Sequence, residues 1–266
     1  MNSASYLFCI VYSDPVHRLL FAANCSVREY LLFLDTETSG IPRDWSKPYS
    51  SRDNWPHIVQ LAWVVYTQDG QEVKVENHYI QPNDYDMSPA SGRVHGLTVD
   101  FLRQHGKPRH AVMQRLHRDL LQYHPLVVAH FMQLDYHMVG VGFYRAGLQN
   151  PLEHLPTFCT MRATGQLVRH SNQGFLRLSE LHQRLFDEPQ PRQHDAMADA
   201  YATARCFFEL QRQGAITAET VAQQGPVGLQ NAFAARPRKP RIKVGVGAWL
   251  LITGLVLVVL AFFLIG

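Results

Sequence analysis

Two acidic side chains, Asp35 and Glu37, follow an apolar run at residues 31–34. Residues i and i+2 of a β-strand project from the same face, so we expect both carboxylates side by side at a strand end. Two carboxylates in contact repel each other unless a proton or a cation lies between them, and Mg²⁺ prefers such oxygen ligands. The pair therefore indicates either half of a metal site or, given the Thr, Ser and Gly residues around it, an ordinary turn.

Three further polar residues occur where chain elements are predicted to begin. Asp135 follows an apolar, strand-like run and opens a stretch with helical periodicity. His194 and Asp199 lie in the stretch HDAMADA, where Asp195 is predicted to cap a helix and Asp199 to lie one turn inside it. Taken singly, Asp135 also fits a solvated helix-start charge, and His194 a surface histidine. The alanines around Asp199 favour a tightly packed helix whose acid faces inward.

Together, these stretches resemble the DEDDh family of 3′–5′ exonucleases, which includes ribonuclease T and the proofreading subunit of bacterial DNA polymerase III. The matching motifs are FLDTETSG at 33–40, HF-x-x-LD at 130–135 and HDAMADA at 194–200. The resemblance extends over roughly residues 29–212 and includes the His-Gly loop SGRVHGLT at 91–98. One position departs from the pattern, because Phe131 stands where many relatives carry Asn.

The resemblance implies an α/β, ribonuclease-H-like fold with a mixed five-stranded sheet flanked by helices. It also implies hydrolysis with two divalent metal ions, Mg²⁺ or Mn²⁺. Asp35, Glu37 and Asp199 would hold the first ion. Asp35 would bridge to the second, with Asp135 helping through water. His194 would be the general base, a role that suits histidine at neutral pH.

Contacts with the substrate are predicted from the same resemblance. Thr38 lies in the segment that lines the terminal nucleotide in relatives, and His95 lies in the His-Gly loop. His95 also fits an ordinary turn residue. The aromatic residues of the loop at 40–56 either stack on bases or pack this long loop onto its own domain.

Hydrophobic patterning predicts the elements that must position these residues. Strands are expected at 30–34, 57–67, 72–80 and 126–131, with a hairpin joining the second and third. Helices are expected at 110–124, 133–148, 176–186 and 197–213. This order of strands followed by alternating helices and strands is typical of an α/β domain with a mixed sheet.

Charge and cysteine content narrow the classes of function. The formal net charge is +3, but a basic run at 236–243 accounts for it, and the rest of the chain carries about −2. The folded part is therefore not a basic nucleic-acid-binding surface as a whole, and metal ions would have to offset the acids before a phosphate binds. The cysteines have no CxxC spacing and fit a reducing compartment; they are Cys9, Cys25, Cys159 and Cys206.

The chain divides into four predicted segments. Residues 1–28 are an extension of undecided role and 29–213 the exonuclease domain. Residues 214–243 are a linker with a short helix expected at 217–224 and then the basic run. Residues 244–266 contain no charged residue, and as a helix they would measure about 34 Å, enough to cross a membrane. The basic flank then predicts a tail-anchored protein with a cytosolic catalytic domain.

Four functions fit these observations. The preferred one is a membrane-tethered exonuclease that trims the 3′ ends of DNA. An exoribonuclease of the ribonuclease T type has the same motifs. A proofreading subunit would have a DNA polymerase as partner, which a membrane anchor fits poorly. A non-catalytic, membrane-bound nucleic-acid-binding protein is disfavoured because all five catalytic positions carry the expected residue types.

Overall fold

The computed structural model describes residues 28–166, 174–224 and 227 of the 266-residue chain. Its strands are β1 (Tyr30–Thr38), β2 (Ile58–Thr67), β3 (Glu72–Tyr79), β4 (Leu126–Ala129) and β5 (Thr157–Cys159). They form one five-stranded sheet in the order β3-β2-β1-β4-β5. β1, β2 and β3 are antiparallel neighbours, whereas β4 and β5 run parallel to β1. The predicted mixed five-stranded sheet is therefore confirmed.

Helices cover both faces of this sheet. They are α1 (Pro89–His95), α2 (Val99–His105), α3 (Arg109–Tyr123), α4 (Met132–Ala146), α5 (Thr160–Ala163), α6 (Leu178–Phe186), α7 (Ala196–Arg212) and α8 (Ala218–Gln224). Short 3₁₀ turns lie at Pro151–His154 and Thr164–Gln166. The predicted helices at 110–124, 133–148, 176–186 and 197–213 are confirmed to within two residues at each end.

The apolar half of β1 lies at the centre of the core. Leu32 and Leu34 belong to a buried cluster with residues of α3 and α4 on one face of the sheet. Leu31 and Phe33 belong to the cluster on the opposite face, with residues of α7. Because helices cover both faces, this half of the strand is apolar at every position and does not alternate. The strand is thereby fixed between two layers that also carry the polar candidate residues.

The polar half of β1 continues as a strand because β2 pairs with it up to Thr38, with a shift in register after Glu37. Beyond the strand, the Ser39 N–H donates to the His57 carbonyl at 2.8 Å. The His57 N–H in turn donates to the Ser39 hydroxyl oxygen at 2.9 Å. Strand pairing therefore holds the backbone before and at the two acids, and the hydrogen bonds of Ser39 hold it after them.

The loop at 40–56 packs onto α4 through its aromatic residues. The Trp55 ring is 2% exposed and stacks on His137 with ring centroids 5.2 Å apart. The Tyr49 hydroxyl lies 3.1 Å from Nδ1 of the same histidine. Trp45 makes an edge contact with the ring of Phe131, at 6.2 Å. Of the two roles predicted for these aromatic residues, packing of the loop onto its own domain is the one observed.

We expect Gly140→Ala to loosen this loop. A Cβ atom at position 140 of α4 would lie 2.6 Å from the Tyr49 hydroxyl oxygen and 2.7 Å from two ring carbons. The Tyr49 ring would have to move, at a cost of about 1–3 kcal/mol in the free energy of unfolding, measured by thermal and urea denaturation. In α1, a Cβ at Gly92 meets its nearest atom at 3.6 Å, so Gly92→Ala is the control and should not destabilise. Equal stability of the two variants would contradict the close contact.

The predicted fold class was wrong in one element. Among residues 28–166, 174–224 and 227, no helix combines the length and the apolar character needed to cross a membrane. The segment 244–266, for which that helix was predicted, lies outside the described residues. The pattern that predicted it was the absence of charge over 23 residues, which describes composition and does not by itself establish a helix.

The short helix α8 lies against the last strand of the sheet. The Cys159 N–H donates to Oε1 of Gln224 at 2.9 Å, and Nε2 of Gln224 donates to the Cys159 carbonyl at 3.0 Å. The short helix predicted at 217–224 within the linker is confirmed to within one residue.

Candidate active site

The first two predicted acids lie where β1 ends, on the sheet face that α7 covers. Asp35 and Glu37 follow the buried Phe33 at intervals of two residues, so all three side chains lie on this face of the strand. Glu37 is only 8% exposed. The first turn of α7 brings Asp199 to the same place. The strand end and the helix start therefore bring three of the predicted metal ligands together.

The N-terminus of α7 fixes the geometry of this group. The Asp195 side chain accepts a hydrogen bond from the Ala198 N–H at 3.0 Å, which confirms the predicted cap. His194 lies just before the helix with φ of 63°, an uncommon value for a residue other than glycine, and its side chain is exposed. Its backbone N–H donates to Oδ2 of Asp199 at 3.2 Å. One potential ligand atom each of Glu37, His194 and Asp199 lies within 4.8 Å of the others.

Asp135 enters the site from the other side of the sheet. It lies in the first turn of α4, where the sequence predicted it, and is 3% exposed. The Thr36 hydroxyl donates to Oδ1 of Asp135 at 2.8 Å, so the residue between the two acids of β1 holds this carboxyl group. Thr36 thus links the end of β1 to the start of α4.

Burial and mutual repulsion raise the pKa of all four carboxyl groups. Burial is the largest cause for each of them. It acts with the charge of Asp199 to raise the pKa of Glu37 to about 8. The pKa of Asp135 is raised to about 7 and that of Asp199 to about 6. The pKa of Asp35 lies well above its usual range, because the charges of Asp135, Asp199 and Glu37 add to its burial.

This donor set fits divalent metal ions. The carboxylates carry more negative charge than the buried site tolerates alone, and among the described residues no Lys or Arg is a main cause of the shifts in their pKa values. Oxygen ligands of this kind suit Mg²⁺ or Mn²⁺. A cation at the site would offset the repulsion that otherwise favours protonated carboxyl groups.

Two glutamines that sequence reasoning missed support the acids. The Gln190 side chain is buried, and its Nε2 donates to Oδ1 of Asp199. Gln60 of β2 accepts a hydrogen bond from the Ala196 N–H at 3.2 Å and donates to Oδ1 of Asn77 at 3.1 Å, which joins the start of α7 to the sheet. Gln190 lies four residues before His194 in an irregular loop, where no periodic pattern marks it as buried.

We expect Gln190→Leu to weaken metal binding. Without the Gln190 amide, the Asp199 carboxylate loses a hydrogen bond that fixes its orientation. Loss of a group that orients a metal ligand typically weakens metal affinity about 10–100-fold. The Mg²⁺ concentration at half-maximal thermal stabilisation measures the effect. Gln183→Leu is the matched control, because Gln183 is an exposed glutamine on α6. An unchanged midpoint for Gln190→Leu would show that Asp199 is oriented without it.

Thr38 and His95, the two residues predicted to contact the substrate, both have side chains that make hydrogen bonds within the protein. The Thr38 hydroxyl already donates to the Gly40 carbonyl at 2.7 Å. The Nδ1 atom of His95 accepts from the Leu97 N–H at 3.1 Å. Burial lowers the pKa of His95, a hydrogen bond with the Thr38 backbone opposes this shift, and the charge of His194 adds to it. His95 therefore lies near the candidate base, and its role in substrate binding stays a prediction.

Comparisons with known proteins agree with this geometry. The family model described as exonuclease (RNase_T) matches residues 32–207. Exonuclease I of E. coli in complex with a dA16 oligonucleotide is similar at 22% identity and a TM-score of 0.56, over 69% of this chain and 41% of that one. Its complex with a dT13 oligonucleotide gives 23% identity and a TM-score of 0.56, over the same shares.

These structural likenesses show the fold, and the chain spans only about two fifths of the length of exonuclease I. No curated protein matches the chain. The family match covers all the predicted site residues, from Asp35 to Asp199, and confirms the prediction of an exonuclease. The chain belongs to the exonuclease family.

Proposed function

We propose that this chain is a metal-dependent 3′–5′ exonuclease that hydrolyses phosphodiester bonds of nucleic acid, with DNA as the preferred substrate. The observation that carries the proposal is the convergence of Glu37, His194 and Asp199 within 4.8 Å. The preference for DNA is supported by the similar exonuclease I structures, which hold deoxyoligonucleotides. A polymerase partner has no support in the comparisons and is not part of the proposal.

Each side chain has a distinct role in this proposal. Asp35, Glu37 and Asp199 would hold one divalent ion, and Asp35 with Asp135 a second. When bound, two such ions stabilise charge on the attacking and leaving oxygens. His194 is exposed at the rim of the acid cluster, where its ring can take a proton from the attacking water. Its backbone N–H fixes its position relative to Asp199.

The direction of digestion and the substrate are tested with the full-length protein. 5′-labelled single-stranded DNA and RNA of one sequence are incubated with Mg²⁺ or with EDTA. We expect a ladder that shortens from the 3′ end, faster on DNA and absent in EDTA. Internal cuts, or a ladder that persists in EDTA, would refute the proposed reaction. Faster digestion of RNA than of DNA would show that RNA, and not DNA, is the preferred substrate.

Two histidine variants test the proposed base. His194→Gln should slow hydrolysis by about 10²–10⁴-fold, the usual contribution of a general base. His110→Gln, a change in an exposed histidine of α3, should leave the rate unaltered. A normal rate for His194→Gln would assign the proton transfer to another group.

A further inference from the structure

A large cleft begins where the acid cluster ends. Its volume is about 1040 Å³, and it is open to solvent. Ser39, two residues beyond Glu37 on the chain, lines it, together with Ile41, which is 79% exposed. Most of the other lining residues come from the loop at 40–56, the segment that precedes α1, and helices α3 and α4. The cleft therefore has a lining residue next to the acid-bearing end of β1, and none of the four acids is among its lining residues.

The rim of the cleft carries basic side chains on a fixed loop. Trp55 and Tyr49 anchor the loop at 40–56 to α4, as described above. Arg43 and Arg52 of the same loop are exposed and line the cleft. Within the described part of the chain, neither guanidinium group makes an ion pair or hydrogen bond. The loop therefore presents two uncommitted positive charges to the cleft, together with the exposed acid Asp53.

The floor of the cleft is also basic. Arg145 donates to the carbonyl oxygens of Trp55 and Pro56 at 2.7 and 2.6 Å, which leaves further N–H groups of its guanidinium available. Arg109 holds Asp84 in a two-point ion pair and lies 3.0 Å from Nδ1 of His57.

The charges on the floor repel one another. Burial and the charge of Arg109 lower the pKa of Arg145 to about 10. Burial, Arg145 and Arg109 lower the pKa of His57 to about 4, and the opposing effect of Asp84 is smaller. Over the whole cleft, the four arginines Arg43, Arg52, Arg109 and Arg145 face the three aspartates Asp53, Asp84 and Asp86, so the lining is basic by one charge. An anion bound there would relieve this repulsion.

We propose that this cleft binds the phosphate backbone of the nucleic-acid strand on the 5′ side of the scissile bond. The inference rests on the proposed exonuclease activity, because it assigns the same strand to both places. The order of charges along the surface supports it. The acids and their metal ions would act on the terminal phosphodiester, and the arginines of the cleft would bind the next phosphates of the same strand. Arginine forms paired hydrogen bonds with phosphate oxygens and suits this role.

A longer strand fits the cleft better than a single nucleotide does. Its volume reaches the upper end of the range for small-molecule pockets, and it is open along its length. Tyr144, 55% exposed, and the stacked pair of His57 and Tyr85 add ring faces to the lining. Ring faces and a basic groove together are typical of sequence-tolerant binding of single strands.

The test uses the full-length protein and the double variant Arg43→Ala/Arg52→Ala. Both residues are exposed. The matched control is Arg118→Ala/Arg184→Ala, which removes two exposed arginines of α3 and α6 outside the cleft. Binding of a 5′-fluorescein-labelled single-stranded 12-mer is measured by anisotropy in EDTA at several salt concentrations. Hydrolysis in Mg²⁺ is measured on the 12-mer and on a dinucleotide.

We expect the cleft variant to bind the 12-mer roughly tenfold or more weakly. Each lost phosphate contact lowers the slope of log K against log salt by about 0.7 for a single strand, so the slope should fall by about 1.4. The ratio of kcat/KM for the 12-mer to that for the dinucleotide should fall by a similar factor, since the dinucleotide does not extend into the cleft.

Three outcomes would overturn the inference: unchanged binding of the 12-mer, an equal loss in the control variant, or an equal loss of hydrolysis on both substrates. A different result would refute the proposed exonuclease activity without refuting the role of the cleft. If the wild-type protein hydrolyses neither substrate but the cleft variant still binds the 12-mer more weakly, the cleft binds a strand and the exonuclease proposal is wrong for this chain.

Discussion

Asp135→Asn is expected to abolish most activity and, at the same time, to stabilise the metal-free protein. The Asp135 carboxyl group is 3% exposed, and its burial, with a smaller contribution from the charge of Asp199, raises its pKa to about 7. An asparagine oxygen can still accept from Thr36, but the side chain carries no charge. We expect hydrolysis to fall on the order of 10²–10³-fold. In EDTA at pH 8 we expect a gain of about 2 kcal/mol in the free energy of unfolding, measured by urea denaturation.

A second buried acid provides the control with the opposite sign. Asp119 of α3 is 2% exposed, accepts from Nζ of Lys74 at 2.7 Å and from Nε1 of Trp63 at 2.8 Å. Asp119→Asn removes a paired charge, so it should destabilise the protein by about 1–3 kcal/mol in EDTA. If Asp135→Asn destabilises the metal-free protein as much as Asp119→Asn does, the repulsion inferred at the acid cluster is wrong.

The metal-free protein is expected to become more stable as the pH falls from 8 to 6.5. The folded-state pKa values of Glu37, Asp135 and Asp199, about 8, 7 and 6, lie above those of carboxyl groups in an unfolded chain. The folded state therefore binds more protons in this range, and the free energy of unfolding rises as the pH is lowered. Below pH 6.5, His57 and His130 oppose the trend, since burial lowers the pKa of each to about 4.

Addition of Mg²⁺ should remove most of this dependence on pH. Metal binding requires deprotonated carboxylates, so the stabilisation by Mg²⁺ is largest at pH 8 and declines towards pH 6.5. Differential scanning calorimetry at both pH values, with EDTA or with Mg²⁺, measures it. We expect the EDTA samples to differ in Tm on the order of 5 °C and the Mg²⁺ samples to differ less. A metal-free Tm that falls from pH 8 to 6.5 would show that the acids are not strained by their own charge.

The apolar elements of the fold could be predicted from the sequence, whereas its polar ones could not. The run at 30–34 predicted only the first half of β1, because Asp35–Thr38 have no apolar signal. Their strand conformation comes from pairing with β2, a contact made across the sheet. The short helix α1 also escaped prediction, although Ser88 caps it through its side chain. A cap alone does not establish a helix without apolar periodicity.

The candidate site was predictable to the extent that its residues lie in motifs. The position of Asp199 followed from the cap at Asp195, and that of Asp135 from the end of a buried strand. Gln190 and Gln60 could not be found in this way, because their roles depend on amide groups that meet α7 only after folding. The membrane helix predicted at 244–266 rested only on the length and apolar composition of that stretch, and it lies outside the described residues.

The two hydrogen bonds between the Gln224 side chain and the Cys159 backbone cover part of an edge of the sheet. β5 is the last strand on its side of the sheet, and an open strand edge is a template for addition of a strand from another molecule. The Gln224 carboxamide satisfies both backbone groups of Cys159, as a neighbouring strand would. A protein shortened to residue 213 would leave this edge bare and should form concentration-dependent aggregates, whereas one that ends after Gln224 should elute as a single species.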